Sequence, residues 1–191
     1  MTDRLSSNFF SSGDTLSLAP HLLGKLLVHQ VNGQRLAGYI TEVEAYLPDD
    51  PASHCFRGLT PRNQAMYGPP GTIYAYRSYG IHTCLNIIAS PKGTGGGILI
   101  RAIQPTQGVE IMKQNRQTDN SKILTNGPGK LTQALAVTMD LYGQSIFTSN
   151  LWLENGLSVN PEQIKQTPRI GISQAKDLPY RFLLDSKTWL T

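Results

Sequence analysis

Leu26-Leu27-Val28-His29-Gln30-Val31, then Asn32-Gly33, then Arg35-Leu36-Ala37-Gly38-Tyr39-Ile40-Thr41-Glu42-Val43-Glu44-Ala45-Tyr46 read as a β-hairpin. Asn-Gly supplies two consecutive positions tolerant of positive φ, the turn whose twist matches paired strands. The returning strand is long. With charged residues at only 16%, 18 Gly and 12 Pro, the chain is expected to be organised by strands and turns rather than by long surface helices.

Upstream, Leu16, Ala19, Leu22, Leu23, Leu26 and Leu27 recur at helical spacing, with Pro20 near the start and Gly24 near the expected end; residues 1–15 read as a loose lead-in. Downstream, residues 47–71 carry five prolines and read as a loop, a length that inside a compact domain is usually functional or disordered. Thr72–Arg77 and His82–Ile88 read as strands joined by Ser78-Tyr79-Gly80-Ile81, and Ile98–Ile103 as a strand closed by Pro105. Val109–Arg116 and Leu131–Val137 read as short helices, with Asn126-Gly127-Pro128-Gly129-Lys130 before the second. Leu151–Leu153, Arg169–Ile172 and Tyr180–Phe182 read as short strands.

At 191 residues one domain is expected, long enough for a full core. Two cysteines, Cys55 and Cys84, make no disulfide framework and no zinc motif, and read as free thiols. No run of 18 apolar residues and no secretory signal is present, so a soluble protein of the cytoplasm, nucleoid or nucleus is expected. The net charge is +4 and uneven: residues 1–50 carry −3, residues 51–135 carry +7 and residues 136–191 carry 0. The middle segment is either a phosphate-facing surface or a solvated basic face.

Period two puts Glu42, Glu44 and Tyr46 on one strand face, in a chain with five Glu. They are either the wet face of an exposed edge strand or a positioned base or metal ligand. Arg101 interrupts an otherwise apolar strand and calls for a carboxylate partner, Glu44 being the natural one, in a structural or a functional pair. Tyr79, at a hairpin tip, either folds back onto the sheet or is displayed. Tyr46, Tyr76 and His54 offer flat faces for a base to stack on. Asn126–Lys130 resembles a phosphate-holding turn but lacks the GxxxxGK[ST] spacing, which argues against a nucleotide triphosphatase.

Taken together, Glu42–Tyr46, His54 with Arg57-Gly58, Thr60-Pro61-Arg62-Asn63, Gly71–Tyr76, Tyr79–His82, Cys84–Ile87, Leu99–Ala102 and Gly127–Leu131 resemble the alkyladenine (3-methyladenine) DNA glycosylase family. The resemblance spans about Leu18 to Phe147, within a family-like core of about 16–147; residues 148–191 match loosely. It implies a monomeric, single-domain α/β enzyme of the α+β type, with a curved, mainly antiparallel sheet, short helices and a protruding β-hairpin that inserts into DNA. It implies hydrolysis of the N-glycosidic bond of damaged purines in duplex DNA, with no cofactor and no metal. By position, Glu44 resembles the general base and Arg101 its partner. Tyr46, His54, Tyr76 and Asn86 resemble the base pocket, Asn86 excluding guanine through its exocyclic amine. Tyr79 resembles the inserted side chain, and Arg57, Thr60, Arg62, Gly129 and Lys130 the phosphate contacts.

The residues agree physically. A base must leave the stack before its sugar carbon can be attacked. A purine alkylated at N3 or N7 is cationic and departs readily, so one water-activating carboxylate suffices and no strong general acid is required. Two competing readings remain at this level. One is a module that binds lesions or single strands without chemistry; the other is an acyl- or formyl-transfer enzyme, disfavoured because no cofactor signature is present.

Overall fold

The strand that carries Glu44 sits at the centre of the sheet. A computed structural model describes residues 4–11 and 14–185. The hairpin of β1 (Leu26–Val31) and β2 (Gln34–Tyr46) closes through Asn32 and Gly33 at φ 50° and 73°. One edge of β2 is covered by β5 (Gly97–Gln107); the other is covered first by β1 and then, opposite Glu42–Glu44, by β8 (Arg181–Leu184). The path β3-β4-β5-β2-β1-β6 completes with β3 (Ile73–Ser78), β4 (His82–Ile87) and β6 (Leu151–Glu154), and β7 (Ile164–Thr167) pairs with β8. Every pairing is antiparallel. The helices are short: α1 (Thr15–Leu18), α2 (Val109–Arg116) and α3 (Pro128–Ala134). Among the described residues no helix is long and apolar enough to cross a membrane.

Two register shifts in the β2–β5 ladder aim the site. The pairing steps from Ile40↔Ile103 to Glu42↔Ala102 and then to Val43↔Ile100, leaving Thr41 and Arg101 as extra residues. A bulge changes the phase of side-chain alternation. Leu36 and Ile40 before it, and Val43 and Ala45 after it, therefore all join one apolar cluster. Glu42, Glu44 and Tyr46 turn to the opposite face, and Arg101 is aimed at them. Without the extra residue at Thr41, the carboxylates would point into the core.

The structure corrects several sequence expectations. In place of one helix, the α-turn Thr15–Leu18 tightens at Pro20 into the 3-10 turn Ala19–Leu22 and stops before Gly24, at φ 79°. The lead-in is packed, with Leu5 and Phe10 buried. Pro105 does not close β5: it lies opposite Gly38 at a third register shift, where a ladder tolerates a missing N–H, and the strand runs on to Gln107. Helix α3 begins at Pro128, so Gly129 and Lys130 are its first turn rather than a turn before it. Arg169–Ile172 is not a strand, and Ile164–Thr167, not singled out, is one.

His29 on β1 is buried, with Nδ1 2.7 Å from the Leu135 carbonyl. Burial lowers its pKa below 6.5, outweighing that carbonyl. The unfolded chain therefore takes up the proton first as the pH falls below 6.5, and stability is lost below that point. Thermal melts from pH 7 to pH 5 are expected to slope downward for the wild type and to flatten in His29→Gln; parallel curves would contradict this.

Candidate active site

Glu44 is fully buried, with three donors on its two oxygens. Oε2 accepts from the Tyr46 hydroxyl at 2.8 Å and from Arg101 Nη1 at 3.1 Å; Oε1 accepts from the Ile170 backbone N–H at 3.0 Å. Arg101 also donates through Nε to Glu42 Oε1 at 3.0 Å, which accepts from Arg181 Nε at 2.6 Å. Two arginines thus face two glutamates. The exposed-edge reading of Glu42–Tyr46 fails because β2 is central and Glu44 is sealed from solvent.

Above this cluster lies a cavity of about 420 Å³, within the size range of small-molecule sites. Its walls include Tyr46, His54, Tyr74, Tyr76, Asn86, Leu99, Arg101 and Ile170–Ile172. Glu44 does not itself line it, but its three donors come from residues that do. The His54 ring meets Tyr76 edge-on at 4.7 Å, and Tyr74 stacks on Tyr76 at 5.4 Å. His54 Nδ1 and the Tyr74 hydroxyl are 2.8 Å apart, and Asn86 Nδ2 donates to the Tyr74 carbonyl at 3.1 Å. Burial, then the Arg62 charge, pushes the His54 pKa down, so the ring is neutral at pH 7. Burial first, then neighbouring groups, pushes Tyr46 and Tyr76 upward. The aromatic part of the wall is therefore uncharged and lies over a buried carboxylate, an arrangement suited to a flat, electron-poor ligand, while Arg62, Arg77 and Arg101 add cationic groups to the lining.

The remaining expected residues lie on the β3–β4 tip, on loop 54–63 and on α3. Tyr79 is at the β3–β4 tip, 89% exposed at φ 49°, so it is displayed and not folded back. Loop 54–63 is built on buried Asn63, whose Nδ2 donates to the carbonyls of His54 (2.7 Å) and Gly58 (2.9 Å) while Oδ1 accepts from the Thr60 N–H (2.6 Å). Arg62 lines the cavity and donates to the Arg77 carbonyl at 3.3 Å. Arg57 and Thr60 are exposed and do not line it. Gly129 and Lys130 do not line it either. A Cβ at Gly129 would come within 2.9 Å of the His82 side chain, so α3 packs this closely on the hairpin only with glycine there.

A sequence profile of the family described as "Methylpurine-DNA glycosylase (MPG)" matches residues 8–188. The chain belongs to the methylpurine-DNA glycosylase family. A relative from Methanoculleus marisnigri, named "Putative 3-methyladenine DNA glycosylase", is 46% identical over 185 residues, covering 95% of this chain and 96% of its own. Proteins of the same name from Prosthecochloris aestuarii and Chlorobaculum tepidum are 45% and 44% identical over 190 residues, covering 98% of this chain and 91% and 90% of theirs. The match to the methylpurine-DNA glycosylase family thus continues well past Phe147, into the residues that looked only loosely similar.

That segment holds what sequence reasoning missed. Arg169 is buried in an ion pair with Asp50, Ile170 supplies an N–H to Glu44, and Arg181 faces Glu42. Tyr74, assigned only to a strand face with Tyr76, is part of the aromatic wall. Arg181 interrupts the apolar stretch 178–184, the signal that drew attention to Arg101; Arg169, preceded by Gln166-Thr167-Pro168, carries no such signal.

Proposed function

We propose that the whole chain, residues 1–191, acts as one monomeric glycosylase unit on duplex DNA. It flips a damaged (alkylated or deaminated) purine into the cavity and hydrolyses its N-glycosidic bond, leaving an abasic site. The carrying observation is a buried, triply donated carboxylate directly behind an aromatic cavity of about 420 Å³.

A carboxylate has about four acceptor positions. Tyr46 and Arg101 occupy two on Oε2, and Ile170 one on Oε1. The remaining position on Oε1 is where the attacking water binds. Glu44 takes its proton, the oxygen bonds to the sugar carbon, and the electron pair of the broken C–N bond leaves with the purine. A cationic purine departs as a neutral base, so no acid is needed; a neutral deaminated purine departs as an anion and then takes up a proton from water. Tyr46, His54 and Tyr76 hold the base, and neutral His54 does not repel it. Asn86, its amide tied to the Tyr74 carbonyl on the cavity wall, is assigned the exclusion of a guanine amine. Arg57, Thr60, Arg62, Gly129 and Lys130 contact phosphates.

The reading is tested with duplexes that each carry one lesion, scoring free base and alkali-labile abasic strand. Release from at least one alkylated or deaminated purine, and none from undamaged DNA, is expected. Binding without release from any of them would leave only a lesion-binding module.

Tyr79 is held in the left-handed region at a cost of about 1–2 kcal/mol and is bare to solvent, as befits a group that fills the gap left by a flipped nucleotide. Tyr79→Ala is expected to weaken lesion-duplex binding by about 1–3 kcal/mol, about 5- to 150-fold, and undamaged-duplex binding far less. Equal losses in a titration of both duplexes would remove the wedge role.

A further inference from the structure

We propose that Asp50 and Arg169 are positioning residues that hold the Pro168–Ile172 segment across Glu44, a role that rests on Glu44 being the base. The segment belongs to no strand or helix, yet Ile170 must present its N–H to Glu44 Oε1 at 3.0 Å. The neighbouring residue fixes it. Both side chains of the pair are essentially fully buried. Arg169 engages both oxygens of Asp50, with Nη2 to Oδ1 at 2.9 Å, and donates through Nη1 to the carbonyl of Ala45 at 2.9 Å. Ala45 follows Glu44 on β2, so the guanidinium ties the segment to the backbone beside the carboxylate. Its plane also lies 4.6 Å from the Tyr46 ring centroid, backing the wall whose hydroxyl donates to Glu44.

A buried ion pair is weak evidence of stabilisation, since a hydrophobic pair of similar volume often does as well. A hydrophobic pair could not aim one backbone N–H, whereas a bidentate fork can. Arg169 Nε is buried with no partner among the described residues, so the guanidinium is placed by Asp50 and Ala45 and not by satisfying every donor.

The test measures single-turnover base release and lesion-duplex Kd for Asp50→Asn, and for a chain with an ester replacing the amide at residue 170, which puts an oxygen in place of the N–H and leaves every side chain unchanged. Each is expected to slow release by about 10- to 100-fold, as a misplaced group does, with Kd changed less than about threefold. In a Glu44→Gln background Asp50→Asn is expected to cost less than about twofold more, because it acts through Glu44. Equal slowing in both backgrounds, or wild-type release by the ester protein, overturns the proposal. Should Asp50→Asn fail to fold, the ester protein carries the test. Wild-type release by Glu44→Gln alone would instead remove the base assignment, and the positioning role with it.

Discussion

Glu44→Gln is expected to slow base release by about 10²- to 10⁴-fold, with lesion-duplex affinity changed less than about threefold. The substitution keeps the size of the side chain and removes the group that takes the water's proton. It also disturbs the donor set in a defined way. With Tyr46 and Arg101 both donating to Oε2, the amide oxygen belongs there, and the amide nitrogen then faces the Ile170 N–H, donor against donor. The tyrosine and histidine faces proposed to hold the base are untouched. Single-turnover release and equilibrium binding on the same duplex separate the two effects. A variant that binds and releases at the wild-type rate would show that Glu44 is not the base.

Arg101→Leu is expected to be the most destabilising single change at the site. Arg101 is the only cation bonded to Glu44 among the described residues, and Glu44 is fully buried. Removing one member of a buried pair strands the other, typically costing about 3–5 kcal/mol. In a protein of this size that lowers Tm by roughly 6–20 °C. Glu42 keeps Arg181, so the loss concentrates on Glu44. Adding Glu44→Gln is expected to restore part of the lost Tm, because it removes the stranded charge. Melts of both single variants and the double variant check this; additive losses would show that the two groups are not coupled.

The local signals in the sequence held up well. Asn32-Gly33 marked its hairpin, and the alternation of Glu42, Glu44 and Tyr46 placed them on one face because the extra residue lies before them, at Thr41. The Arg101–Glu44 pair followed from a cation in an apolar strand. What failed was non-local or irregular. Pro105 looked like a terminator because a bulge has no signature of its own. Arg169 looked like part of a short strand because its partner, Asp50, is 119 residues away and no periodicity links the two. Nor could the sequence say whether Tyr79 folded back, since a left-handed tyrosine at a tip is decided by the turn and not by its hydrophobicity.

The ends of the functional cluster lie far apart along the chain: Glu44 and Ile170 are separated by 126 residues. During synthesis the hairpin, the aromatic slot and the basic surface all leave the ribosome before the segment that completes the donor set. A product terminated ahead of Pro168 would keep the basic face proposed to grip nucleic acid and lack the closure over the carboxylate. On the proposed function, such a fragment, if it folded, would occupy damaged sites without clearing them. The order of emergence therefore makes catalytic competence one of the last properties the nascent polypeptide acquires.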